Sequence, residues 1–153
     1  MNDTVSQDKP LRLLFVCLAN MCRSPMAEII ARALLGDGVQ ADSAGVSPAM
    51  GPIYADTRAY VRNLLGVDLA GHEPRHVLEF PVATYDYIIA LDSPVFMALT
   101  GMREIPTDKL YGWDIPDPCG LGEDAYRRAA DKIEISLERF LQNREVEKTF
   151  PGR

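Results

Sequence analysis

Three cysteines in 153 residues are too few, and odd in number, for the disulfide framework of a small secreted domain. Basic residues are also in deficit. Lys and Arg number 16 against 22 Asp and Glu, and the net charge of −6 argues against a general nucleic-acid binder. Long apolar runs are missing too. The stretch Leu11–Val16 is too short for a signal h-region or a membrane span, so the expected location is cytoplasmic, with no membrane partner. No His/Asp cluster has metal-ligand spacing, so neither a metal nor another cofactor is expected. Repeats, low-complexity tracts and long linkers are absent.

What is present is the composition of one globular domain, 47% hydrophobic and 25% charged. Residues 1–10 are polar and read as a flexible N-terminal arm, and 11–148 as a single domain. The apolar run Leu11–Val16 predicts a buried strand, and Pro25–Leu35 a helix ended by Gly36. A second strand is expected over Val39–Ser43, followed by a Gly/Pro/Ser-rich loop over 44–54. Asp56–Leu65 reads as a helix closed by Gly66, and Tyr85–Leu91 as a third strand. Ser93 is expected to cap a helix over Pro94–Leu99. Lys109–Trp113 reads as a fourth strand and Glu123–Gln142 as a last helix, with Ala129, Ile133, Leu137, Phe140 and Leu141 at helical spacing. Alternating strands and helices imply an α/β fold with a parallel sheet, whose ligands bind beyond the carboxyl ends of the strands.

The segment Cys17-Leu18-Ala19-Asn20-Met21-Cys22-Arg23-Ser24-Pro25 joins the first strand to the first helix. A helix start leaves backbone N–H groups without partners, and the helix dipole favours an anion there. Ser24 suits the N-cap and Pro25 the first helical position. Cys17 alone would read as a small buried hydrophobe, Arg23 as a surface cation and Ser24 as a cap. In the spacing Cys-x5-Arg-Ser, between strand and helix, they describe an oxyanion cradle with a nucleophile at its base. Arginine can hold two phosphate oxygens side by side, and Ser24 can donate to the Cys17 sulfur.

The run Val16-Cys17-Leu18-Ala19-Asn20-Met21-Cys22-Arg23-Ser24-Pro25-Met26-Ala27-Glu28 resembles the signature V-C-x-G-N-x-C-R-S-P-x-A-E of the low-molecular-weight protein tyrosine phosphatases. Only the glycine departs, as Ala19. The resemblance implies that family's three-layer fold, a four-stranded parallel sheet with helices on both faces. It implies metal-independent hydrolysis of phosphotyrosine and aryl phosphates through a phosphocysteine on Cys17. Residues 18–24 would bind phosphate, and Arg23 would stabilise the transition state. A phosphorylated protein or small aryl phosphate would be the substrate, with phosphate and other oxyanions as inhibitors.

A poor leaving group needs a proton donor. Trp113-Asp114-Ile115-Pro116-Asp117-Pro118 offers two carboxyls. The family carries its acid in an Asp-Pro pair, which selects Asp117 and leaves Asp114 as a solvated loop acid. Asp42-Ser43-Ala44-Gly45 and His72-x-x-Arg75 match further family motifs, so Asn20, Ser24, Ser43 and His72 are expected to order the loop. Asp56 and Arg58 match a structural Asp-x-Arg pair, and Asp92 follows the third strand with Leu91 in place of the family's methionine. Cys22 matches a cysteine that forms a protective disulfide with the nucleophile.

Two rings that hold phenol in relatives are missing, at Ala49 and Cys119. Met50, Ile53, Tyr54 and Tyr111 are candidates to replace them. Related protein-arginine phosphatases carry a threonine where this chain has Met21, which favours phosphotyrosine here. Two alternatives stand beside the phosphatase: an arsenate reductase of the same fold, for which Cys119 is the only downstream cysteine, and a phosphopeptide-binding module without turnover. Cys119 is also a candidate for a disulfide with Cys17 or Cys22 under oxidation.

Overall fold

The computed structural model describes residues 9–142. Residues 1–8 of the expected arm and 143–148 of the expected domain lie outside the described residues. Strands β1 (Leu11–Cys17), β2 (Val39–Gly45), β3 (Tyr87–Ala90) and β4 (Leu110–Gly112) alternate with helices α1 (Arg23–Leu35), α2 (Ala55–Leu65), α3 (Ser93–Thr100) and α4 (Glu123–Gln142). The strands form one sheet in the order β2-β1-β3-β4, with every pair parallel.

Strand β1 is central, which explains its continuous apolar sequence: both of its faces are covered. Leu13 and Phe15 face one core with Met26 and Ile30 of α1 and Ile133, Leu137 and Phe140 of α4. Leu14 and Val16 face the other, with Val95 and Leu99 of α3. Helix α4 follows its predicted bounds because its apolar stripe at 129, 133, 137 and 140 is buried, while Leu141 packs partly buried at the edge. The Phe140 ring meets Tyr87 and Tyr111 edge-on at centroid distances of 5.0 and 5.2 Å, tying α4 to β3 and β4.

Several boundaries differ from expectation, each for a local reason. Helix α1 starts at Arg23 rather than Pro25, with Cys22 as N-cap and no side-chain cap bond. Pro25 is tolerated there because first-turn N–H groups have no intrahelical partner. Strand β2 runs on to Gly45, paired with Cys17. Strand β3 is shorter than Tyr85–Leu91: Tyr85 follows a 3-10 turn over Val82–Thr84 and donates its hydroxyl to Asp42 at 2.6 Å. Helix α3 begins at Ser93, and its cap is Asp92, whose Oδ1 accepts from the Val95 N–H at 2.8 Å. Strand β4 is one residue shorter than expected at each end, and at its start Lys109 closes a 3-10 turn. Between α2 and β3 the chain makes 3-10 turns at Leu69–Gly71, Val77–Glu79 and Val82–Thr84. A bridge between Gly45 and His76 holds this segment against the end of β2.

Parallel strands share one carboxyl edge. Cys17, Gly45, Leu91 and Trp113 therefore gather there. The ladder continues past the strands, with Leu91 N–H donating to Val16 O at 2.9 Å and Ile115 N–H to Leu91 O at 2.8 Å. This extension carries the 113–119 loop over the β1–α1 loop.

Candidate active site

Cys17 is the last residue of β1, and the loop after it is clamped from outside. The carbonyls of Cys17, Leu18 and Ala19 accept from the N–H groups of Val46 (3.1 Å), Ser47 (2.8 Å) and Ala49 (3.0 Å). The carbonyl of Asn20 faces His72 Nε2 at 2.9 Å, and since a carbonyl only accepts, this nitrogen carries a proton. In a trans peptide the N–H of the next residue points opposite the carbonyl. With successive carbonyls held outward, the amides of residues 18–21 turn to the other side of the loop.

Asn20 is the keystone of this turn. Its φ of 57° is the only positive value at a non-glycine position among the described residues, and asparagine is one of the few residues that adopts it at low cost. Its side chain is fully buried and fully used. Nδ2 donates to Ser24 Oγ at 2.8 Å and to Ser43 Oγ at 3.1 Å. Oδ1 accepts from the Arg75 N–H at 3.0 Å. Ser43 in turn donates to Glu28 at 2.7 Å. Burial pushes the Glu28 carboxyl above its ordinary range, against the lowering effect of the Ser43 bond and Arg32.

Ser24 is not the helix cap. Its Oγ lies 3.0 Å from Cys17 Sγ and 3.2 Å from the Ala44 carbonyl. Asn20 occupies one of its lone pairs, and its single proton can go to Ala44 O or to sulfur. A thiol at Cys17 can donate to Ser24 while Ser24 donates to Ala44. A thiolate can only accept, so the Ser24 hydroxyl then turns to sulfur.

Arg23 is 4% exposed. Its Nη1 donates to Asp92 Oδ2 at 2.7 Å and to the Ile115 carbonyl at 3.0 Å. Both Nη1 hydrogens are spent, and the Nε–Nη2 edge is the one left to clamp an anion. Burial works against the charge, but the hydrogen bond donated to Asp92 and the fields of Cys17, Asp92 and Asp117 outweigh it and hold the guanidinium above its ordinary pKa. Asp92, to which the sequence assigns no role beyond its place after the third strand, thus carries two functions as cap of α3 and anchor of Arg23. Its place directly after β3, on the ligand edge of a parallel sheet, is the signal that could have found it.

A cleft of about 110 Å³ opens over the loop, lined by Cys17, Leu18, Ala19, Met21, Cys22, Arg23, Ala49, Tyr54, Asp117 and Cys119. Asp117 is exposed at its mouth, with Oδ1 accepting from the Cys119 N–H at 3.1 Å in a tight side-chain turn. Asp114 points away, 75% exposed and 4.0 Å from Lys132. Of the aromatic and apolar candidates for the wall, Tyr54 lines the cleft, whereas Ile53 and Tyr111 are buried and Met50 is 96% exposed. Ala19 adopts no positive φ, so a glycine is not required there. Gly45 is required: a Cβ would stand 2.8 Å from Leu18 O and 3.0 Å from Asn20 N.

Cys22 lies at the back of the cleft. Its Sγ is 3.3 Å from Tyr126 Oη and 3.7 Å from Thr57 Oγ1, and those two hydroxyls are 2.6 Å apart. Burial pushes the Cys22 thiol up to about 11, despite the lowering effect of both hydroxyls. All three cysteines of the chain line this one cleft.

The arrangement brings a thiol, a fixed cation, loop amides and an exposed carboxyl to one cleft. The same combination of sequence and fold occurs in known proteins. The protein-tyrosine-phosphatase YfkJ of Bacillus subtilis is 31% identical over 90% of this chain and 98% of its own length. The crystal structure of a low molecular weight protein tyrosine phosphatase from T. tengcongensis superposes with a TM-score of 0.76 at 26% identity, covering 87% of this chain and 99% of that one. At 28% identity stand a protein-arginine-phosphatase of Geobacillus stearothermophilus (90% of this chain, 99% of that protein) and an arsenate reductase of Staphylococcus aureus (84% and 94%). The family described as low molecular weight phosphotyrosine protein phosphatase matches residues 12–150, and the chain belongs to that phosphatase family.

Proposed function

We propose that this phosphatase hydrolyses protein phosphotyrosine and aryl phosphates through a phosphocysteine intermediate. The Cys17 thiolate attacks phosphorus while the Nε–Nη2 edge of Arg23 and the amides of residues 18–24 hold the non-bridging oxygens. Asp117 protonates the departing phenol oxygen, then accepts a proton from the water that attacks phosphorus and releases Cys17. The charge that develops on the phosphoryl oxygens meets donors already in place, the arrangement that lowers such barriers most.

The observation that carries this reading is the 3.0 Å contact of Cys17 Sγ with Ser24 Oγ, in a cleft that also holds Arg23 and Asp117. Tyr54 on the lining supports an aromatic leaving group, and Met21, which brings no hydroxyl, supports phosphotyrosine over phosphoarginine. The test is phosphate release from p-nitrophenyl phosphate and a phosphotyrosine peptide, without added metal. Turnover should vanish in Cys17→Ser and fall steeply in Asp117→Ala. An active Cys17→Ser variant would end the proposal. Tight binding of the peptide by reduced wild type without any turnover would favour a phosphopeptide-binding module.

Arsenate reduction is a second reading, favoured by the placement of Cys119 on the same cleft as Cys17 and Cys22. Thiol-dependent arsenate reduction that is lost in Cys119→Ser, with phosphatase turnover spared, would establish it. Arsenate left unreduced by the wild type would remove it.

A further inference from the structure

A second pocket adjoins the phosphate cleft and shares Tyr54 and Cys119 with it. It measures about 370 Å³ and is also lined by Asp56, Thr57, Tyr60, Gly120, Gly122 and Tyr126. Its floor is rigid. The Tyr126 hydroxyl is held by Thr57 and Cys22, and the Tyr60 and Tyr126 rings pack with centroids 5.1 Å apart. Tyr54, 58% exposed, stands between the two pockets.

The charge on these walls has one sign at the open side. Asp56 lines the second pocket and Asp117 the first, both exposed. Arg23 is the one cation on either lining, and it is committed to Asp92 at the base of the phosphate cleft. Arg58, two residues from Asp56, pairs instead with Asp68 at 3.3 Å. Among the described residues no cation pairs with Asp56. An unpaired carboxylate beside the exposed Tyr54 ring suits a guanidinium or ammonium group, through charge and cation–π attraction together. An acidic side chain would meet like charge.

We infer that this pocket is a specificity subsite for a basic residue, Arg or Lys, adjacent to the phosphorylated residue of the substrate. The inference rests on the phosphatase reading for its register: phosphate in the cleft places the neighbouring side chain over Tyr54 and beside Asp56.

The test is a panel of phosphotyrosine peptides with Arg, Ala or Glu placed immediately before or after the phosphotyrosine. Wild type should favour an Arg peptide over its Ala counterpart by roughly three- to tenfold in kcat/KM, mostly through KM. The Glu peptide should be the poorest. Asp56→Asn should abolish the Arg preference while turnover of p-nitrophenyl phosphate stays unchanged. Asp37→Asn removes the same charge after α1, at the opposite edge of the sheet, and should leave the preference intact. Asp56 is also the second residue of α2, where a carboxylate complements the helix dipole. A purely structural role would lower the Tm of Asp56→Asn without touching the peptide preference. That result, or a flat wild-type panel, would overturn the subsite. The same panel read as binding to Cys17→Ser keeps the test independent of catalysis. Loss of phosphate release would then count against the phosphatase reading, and loss of Arg preference against the subsite.

Discussion

Arg23 Nη1 reaches Asp92 Oδ2 at 2.7 Å, with the two side chains only 5% and 21% exposed. The pair joins the start of α1 to the start of α3 across the ligand edge of the sheet. Removing the carboxylate leaves a buried cation facing the Ile115 carbonyl alone.

Substitution at Asp92 separates its two functions. Asp92→Asn keeps a good helix cap but removes the charge partner, so stability should fall toward the lower end of the roughly 3–5 kcal/mol that breaking a buried pair costs. Asp92→Ala should lose about 1 kcal/mol more, the worth of the cap. In both variants phosphatase kcat should fall, by up to about a hundredfold if Arg23 shifts by an ångström. Urea denaturation and p-nitrophenyl phosphate kinetics on both variants check this. Equal stability of Asn and Ala variants would dispose of the cap.

Gly45 and Ala19 should respond in opposite senses. Gly45→Ala drives a Cβ into Leu18 O and Asn20 N, which should cost about 1–3 kcal/mol and abolish binding of inorganic phosphate. Ala19→Gly relieves no strained angle. It should lower stability by about 0.4–1 kcal/mol through the unfolded chain and leave phosphate affinity nearly unchanged. Calorimetric titration with phosphate distinguishes the two.

The thiols should differ in reactivity. Cys22 is buried and held protonated up to about pH 11, whereas Cys119 is exposed. Iodoacetamide at mildly alkaline pH should label Cys119 well before Cys22, since thiolate is the reacting form. Tyr126→Phe removes a hydrogen bond that lowers the Cys22 pKa, so it should slow Cys22 labelling further. Peptide mapping by mass spectrometry reads both outcomes. Early labelling of Cys22 would contradict this environment.

Glu28 gives a pH signature of known sign. Burial raises its folded pKa above 4.5, so the folded chain holds this proton more tightly than the unfolded chain. Its contribution to stability is therefore full at or below pH 4.5 and is lost as pH rises through the folded value. Glu28→Gln should remove that loss. The difference in unfolding free energy between variant and wild type should grow in the variant's favour as pH rises from 4.5 and then level off. A pH-independent difference would show that Glu28 titrates alike in both states.

Local pattern carried most of the fold. The unbroken apolar run at 11–16 and the 3.6-residue stripe of α4 are consequences of burial on both faces of a central strand and along one face of a helix. The spacing from Cys17 to Arg23 likewise put the thiol and the guanidinium on one strand–loop–helix turn, because both belong to a single short segment. The sequence was less informative where local rules competed with distant partners. Ser24 has the chemistry of an N-cap, but Cys17, Asn20 and Ala44 claim its hydroxyl.

By itself, then, the sequence determined the parallel α/β order and the strand–loop–helix turn that runs from Cys17 to Arg23, since periodicity and backbone geometry are local. Only the tertiary structure decided that Asp92 anchors Arg23, that Tyr54 rather than Met50, Ile53 or Tyr111 lines the cleft, and that Cys22 sits beneath Tyr126 and Thr57. Those relations join residues far apart in the chain, through side-chain directions and sheet order that no local pattern encodes. The lone Asp92 carboxylate after β3 looks like any loop acid until the fold lays Arg23 against it.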